Sequence, residues 1–337
     1  MAYNEHNQGQ RLFIIFNMSK YYFSYRDYLK QVFPFRVHKI GLDAGFTCPN
    51  RDGSVAYGGC VYCENRSFSP NSKGSKRSIS EQISDGMEFY RSHFKAEKFI
   101  AYFQAYTNTY GPVNLLDDLY REALLFDDVV GLSIGTRPDC LPDEVIELLA
   151  SYSKKTHLWV EIGLQSMYEE TLTWMNRGHS FEQFIDAITR VKLKGLRVCV
   201  HVILGLPGET HEMIMQTADT LAGLNIDGLK VHHLYVAENT MLEKMYVKGG
   251  INLISLDEYI HLVCDFLERI PPGVAIQRLT GELTGDYLIA PKWGVSKKAI
   301  LTAIENEFER RNSYQGKEYK SQKDLSAFAV TLKEGVL

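Results

Sequence analysis

Short apolar runs rich in β-branched and aromatic residues recur along this chain at intervals of roughly thirty residues, and that rhythm limits the fold more than any other feature. The runs are Val37–Leu42, Phe99–Phe103, Val129–Ile134, Leu158–Ile162, Val198–Leu204, Gly228–Leu234 and Val274–Gln277. Antiparallel neighbours can be joined by a tight turn, whereas parallel neighbours need a long crossover, usually a helix. Helical patterns with chemical start signals fill the intervals. Ser78 with Glu81, Ser180 with Gln183 and Ser255 with Glu258 each fit a capping box, in which two side chains satisfy amides at a helix start. Pro142 sits at a first helical position, and Gly195 is placed to end the helix that carries Phe184, Ile188 and Val191. The pattern predicts an α/β fold whose parallel sheet is closed, or partly closed, into a barrel.

No Ser/Gly-rich linker and no internal repeat divides the 337 residues, so one barrel domain is the economical reading. Residues 1–17 read as a flexible lead, 18–309 as the barrel with its flanking elements, and 310–337 as a basic C-terminal extension. A hydrophobic fraction of 45% excludes a disordered chain. The apolar run Leu12–Phe16 is too short for a signal sequence or a membrane span, which predicts a cytoplasmic protein with no membrane partner. Polar and glycine-rich motifs follow the strands in turn: a cysteine loop, Gln104–Asn108, Thr136–Asp139, Gln165-Ser166, Gly205–Gly208 and Tyr235. Parallel barrels gather their chemistry on that rim.

The segment CPNRDGSVAYGGCVYC sets Cys48, Cys60 and Cys63 close together, while Cys140, Cys199 and Cys264 are scattered. A C-x-x-C pair brings two thiolates to one soft-metal centre, and Asp52-Gly53 and Gly58-Gly59 supply the turns that return Cys48 to it. Three thiolates without a fourth Cys or His leave a coordination position open. Structural zinc, which takes four ligands, is the weaker alternative, and three unrelated buried thiols are the plain one.

Together with AYFQAYTNTY, GLSIGTRPDCLPDEV, WVEIGLQS, MNRGHSFEQF and VILGLPGET, this loop resembles the radical S-adenosylmethionine (SAM) superfamily. Within it the chain is similar to the YhcC and YtqA proteins over residues 18–315, and its cysteine spacing is similar to that of the Elongator catalytic subunit. The resemblance implies a partial (β/α)6 TIM-type barrel with short N- and C-terminal extensions. It implies a 4Fe–4S cluster held by Cys48, Cys60 and Cys63, with SAM on the free iron. In that superfamily the reduced cluster cleaves SAM, and a 5′-deoxyadenosyl radical takes a hydrogen from substrate. An electron donor such as flavodoxin or ferredoxin follows.

By the same resemblance Gln165 matches a glutamine that holds the SAM ribose, and Arg177 an arginine that pairs with the SAM carboxylate. Gly205 and Pro207 belong to a loop beside the adenine. His201 stands where a related branch has an aspartate, so that ribose contact does not carry over. Arg137 is expected to face an anionic ligand from the rim, and Asp139 to act as a helix cap or touch ligand. Glu161 and His232-His233 read as core or supporting groups; the adjacent histidines point to opposite strand faces. Cys199 and Cys264 read as packing residues, and Cys140 lacks partners for a second cluster.

Two basic, aromatic segments suggest a polyanionic partner. Residues 11–39 carry six Lys/Arg (Arg11, Lys20, Arg26, Lys30, Arg36, Lys39) against Asp27, interleaved with Tyr21, Tyr22, Tyr25, Tyr28 and Phe33. Residues 310–323 carry Arg310, Arg311, Lys317, Lys320 and Lys323 against Glu318. Such segments can hold phosphates and stack bases, or can pack their aromatics on the barrel. The resemblance points to tRNA, because Elongator modifies the wobble uridine and the YtqA branch remodels an aminomethyl side chain at that base. The chain has no room for Elongator's acetyltransferase domain, so conversion of an existing carboxymethylaminomethyl group is expected. The alternatives are a radical SAM enzyme on a small molecule or protein, such as a decarboxylase, and a non-catalytic iron–sulfur or zinc protein.

Overall fold

All seven apolar runs are strands in the computed structural model, which describes residues 21–72, 77–281 and 287–320. They are β1 (Val37–Leu42), β2 (Lys98–Phe103), β3 (Val129–Thr136), β4 (His157–Gln165), β5 (Arg197–Leu204), β6 (Gly228–His233) and β8 (Ala275–Arg278). These pair in parallel in the order β1-β2-β3-β4-β5-β6-β8. The short strands β7 (Val236–Ala237) and β9 (Leu288–Ala290) pair separately and antiparallel. The sheet is not closed: β1 and β8 are its two edges. It is a partial barrel of the expected kind, with β8 as a short seventh strand beyond six.

Helices cover the outer face because alternate strand residues there are apolar. Leu42, Phe103, Ile134, Ile162, Val200 and Val231 join the helix residues in one core. Each of the three expected capping boxes forms, at Ser78, Ser180 and Ser255. Gly195 follows the cap of its helix at φ +70°, a conformation that suits glycine. Pro142 is the residue before the first helical one, with ψ 161°, so the helix Asp143–Ser153 starts one position later than expected.

The N-terminal segment plugs the base. Ser24 bridges Ile276, the Ile276 amide donates to Phe23 O (2.8 Å), and Tyr25 and Tyr28 of the helix Tyr25–Val32 set their rings against Trp159. Gln315 ties the C-terminal segment to the same place. Its Oε1 accepts from Phe23 N (2.9 Å) and its Nε2 donates to Pro271 O and Val274 O. Tyr21 stacks on Phe308. The described parts of the two basic segments therefore meet at the amino ends of the strands, opposite the motif-bearing rim, and their packed aromatics are not free to stack bases. Lys39 is not a surface charge at all, since it points into the barrel. Residues 1–17 and the rest of the basic extension from 321 onward, with Lys323, lie outside the described residues, as do Arg11 and Lys20. Among the described residues no helix is long and apolar enough to cross a membrane.

Candidate active site

A smaller core at the rim seats the cysteine loop: Val61 packs with Leu172, Met175, Ile203, Leu234 and Leu242. Within the loop the amides of Arg51 and Asp52 return to Cys48 O (2.9 and 3.2 Å), and Gly59 N donates to Asn50 O (2.7 Å). Residues just after the helix Glu169–Trp174 clasp it from outside. Val61 N donates to Met175 O (3.0 Å), and the Asn176 amide reaches Tyr57 O and Gly59 O (3.0 and 2.8 Å). Asn176 holds a left-handed φ of +50° to do so. Asn50 completes the clasp, donating to Asn176 O and to Cys60 Sγ (3.0 and 3.3 Å).

The three thiols line one wall of a cavity at the strand carboxyl ends. Each has a polar neighbour. Thr107 Oγ1 lies 2.9 Å from Cys48 Sγ, Asn65 Nδ2 lies 3.6 Å from Cys63 Sγ, and Arg177 Nη1 lies 3.6 Å from Cys60 Sγ. Burial raises Cys48, and burial with the charges of Cys60 and Cys48 pushes Cys63 up to about 12. Burial would also raise Cys60, but Arg177 and Arg137 outweigh it and lower that thiol. The two arginines thus favour the charged form at Cys60, while burial disfavours it at Cys48 and Cys63. Among the described residues no group of three His, Cys, Asp or Glu is arranged to hold a metal ion. The buried, unpartnered Nε of Arg177 beside Cys60 is a further donor left for what binds there.

Arg177 and Gln165 face the same cavity. Arg177 Nη2 donates to Gly163 O (2.5 Å), and Gln165 ends β4 at a strained φ of +74°. A Cβ at Gly163 would lie 2.7 Å from Gln165 Nε2 and 2.8 Å from Arg177 Nη2, so those two side-chain ends would have to shift to admit it. Arg137 departs from expectation. It is 2% exposed, its fork holds Asp139 (2.9 and 2.8 Å), and its Nη1 donates to Arg177 O (2.6 Å). It lines the cavity, yet its guanidinium is occupied in positioning Arg177. Asp139 is accordingly no helix cap; the helix Asp143–Ser153 has none from a side chain. Gly205 and Pro207 do not line this cavity; Gly205 abuts Ile254. Cys199 lies in the basal cluster with Trp159, Cys264 packs in the helix Leu256–Arg269, and Cys140 is buried outside the cavity.

Below the cysteines lies a polar floor that sequence reasoning largely missed. Glu161, 1% exposed, accepts from Lys39 (2.6 Å), His201 (2.8 Å), Lys230 and Ser133. Lys39 also donates to Gln277 Oε1 (2.8 Å), and Lys230 to Tyr102 OH (3.1 Å). The signal was present: lysines inside the apolar strands VHKIGL and GLKVHH cannot be surface charges, because parallel strands are covered on both faces. Burial and Lys230 push His201 down to about 4, so it is neutral. His232 and His233 both line the cavity, and His233 also packs against Tyr235, Tyr259 and Trp293.

A curled parallel sheet with a three-thiol loop at its rim and an arginine on one sulfur is the arrangement of a radical SAM enzyme. Residues 48–221 match the Radical SAM superfamily and residues 226–310 the Radical_SAM C-terminal domain, and the chain belongs to that superfamily, whose enzymes use a 4Fe–4S cluster and SAM. It is 42% identical over 311 residues to the uncharacterized protein YtqA of Bacillus subtilis (strain 168), covering 92% of this chain and 97% of YtqA. It is 28% identical over 186 residues to the tRNA uridine(34) acetyltransferase of Methanocaldococcus infernus, covering 54% of this chain and 34% of that protein. The fold is shared with the solved archaeal Elp3 of Methanocaldococcus infernus, at TM-score 0.65 and 19% identity over 83% of this chain and 64% of that one.

Proposed function

We propose that this enzyme modifies the wobble uridine of tRNA, converting a carboxymethylaminomethyl side chain to an aminomethyl one; water would release the two-carbon unit as glyoxylate, and SAM, ending as methionine and 5′-deoxyadenosine, would take up the two electrons. The observation that carries the substrate is the sequence relationship to a tRNA uridine(34) acetyltransferase. The basic terminal segments add nothing to it, since their described parts pack at the far end of the barrel. Cys48, Cys60 and Cys63 would hold the cluster, Gln165 the SAM ribose, and flavodoxin or ferredoxin would supply electrons. When bound, the cluster and SAM supply a radical that removes hydrogen from substrate. The chain's own residues supply placement. Arg177 neutralises Cys60 while Arg137 and Asp139 hold it there, and Asn50 and Asn176 fix the loop. Glycines at 135 and 163 line the cavity without adding side-chain bulk to it. Because Arg177 is engaged with Gly163 O and Cys60, we assign it to the cluster wall, where the SAM carboxylate would also lie.

The test is reconstituted enzyme with SAM, dithionite and tRNA bearing the carboxymethylaminomethyl group, followed by nucleoside mass spectrometry. Aminomethyluridine appearing with 5′-deoxyadenosine is the expected result. Release of 5′-deoxyadenosine with every nucleoside unchanged would remove tRNA as substrate and leave a small-molecule or protein substrate.

A further inference from the structure

The floor of the barrel holds more positive charge than the protein neutralises. His201, Lys230 and Arg278 stand abreast in one row of the β5-β6-β8 ladders and so share the inner face. Lys39 and Lys230 both converge on Glu161, which is the one acidic side chain among the described residues lining the main cavity. Arg278 has no hydrogen bond or ion pair among the described residues. It lines both the main cavity and a second cavity at the gap between β1 and β8, where Tyr102 and Gln104 are the other shared walls. The acidic residue of that second cavity, Asp85, already pairs with Arg77. Beside Arg278, Gln277 has a buried Nε2 without a partner. The unfilled groups here are donors, and His201 is neutral and adds no charge of its own.

We propose that this floor is a carboxylate-binding subsite for the substrate, with Arg278 as its forked partner and Lys39 and Lys230 as flanking charge. A planar guanidinium presents two parallel N–H groups to a carboxylate, and a half-buried pairing of this kind discriminates strongly against a neutral analogue. The substrate therefore enters the barrel carboxylate first, and the radical is delivered to atoms next to that group. Naming the carboxylate as that of a carboxymethylaminomethyl group rests on the tRNA reading; the subsite does not.

The experiment uses cluster-loaded wild-type enzyme and its Arg278→Gln and Arg278→Lys variants. Affinity is measured for SAM, for tRNA with the carboxymethylaminomethyl group, and for the same tRNA with an aminomethyl group; N-methylglycine, acetate and inorganic phosphate are titrated separately. Wild type is expected to prefer the carboxylate-bearing tRNA by about tenfold, with Arg278→Gln abolishing the preference, Arg278→Lys keeping part of it, and SAM affinity unchanged in both. A preference that survives Arg278→Gln, or SAM affinity lost in parallel, overturns the proposal. If wild type binds neither tRNA, the tRNA reading fails and the small anions decide. Saturable carboxylate binding lost in Arg278→Gln then supports the subsite; its absence, or tighter binding of phosphate, overturns it.

Discussion

At the scale of single residues, the cysteine loop sets its three thiols apart from the side chains that hold the loop in place. Changing Cys48, Cys60 or Cys63 to Ala is expected to abolish 5′-deoxyadenosine formation, whereas Cys199→Ala and Cys264→Ala should retain it; iron content and cleavage assays on the five variants decide. Asn176→Ala should also lose iron although all three thiols remain. It removes the donors to Tyr57 O and Gly59 O and puts a Cβ residue without a compensating side chain at φ +50°. Iron retained at wild-type level would show that the loop closes without this clasp. Thiol spacing is itself a signal in the chain, and it is what singles out Cys48, Cys60 and Cys63. Asn50 and Asn176 are not singled out, since an asparagine acting through a distant backbone carbonyl leaves no pattern in the chain. Arg137 lines the cavity as its rim position suggests, but nothing in the chain announces that Asp139, two residues on, holds its fork.

At the scale of elements, strands and helix starts were readable because they are written locally, in runs of apolar residues and in Ser-to-Glu or Ser-to-Gln spacings. What the N-terminal helix packs against was not, since its contacts lie more than a hundred residues away. That contact has a measurable pH dependence. His157 accepts from Trp159 Nε1 (2.9 Å) beneath Tyr28, and burial, with Arg197 and Lys39, pushes it down to about 4. Between pH 6.5 and 4 the unfolded chain binds a proton there that the native state refuses. Its contribution is therefore complete above about pH 6.5 and is lost as pH falls toward 4. Urea midpoints between pH 7 and pH 4.5 should fall less steeply for His157→Gln than for wild type. Identical slopes would mean that this histidine does not report on the packing of the helix.

For the whole molecule, the open sheet is fastened at one end by Gln315, which is 1% exposed and joins three separated segments. Gln315→Ala should cost roughly 2–4 kcal/mol, the loss expected when buried amides and carbonyls are left unpaired, and thermal melts would measure it. A shift of less than a degree would show that the basal plug is secured by its aromatics alone. The partial barrel itself was foreseeable from strand spacing, but the mutual packing of the two chain ends was not, because charge counts carry no address. Among the described residues no ladder joins β1 to β8. A closed tube can be entered only by a loose end or by a molecule small enough to drop in from the top. A seam without a backbone ladder, where Lys39 of β1 meets Gln277 of β8 through side chains, carries no such topological restriction.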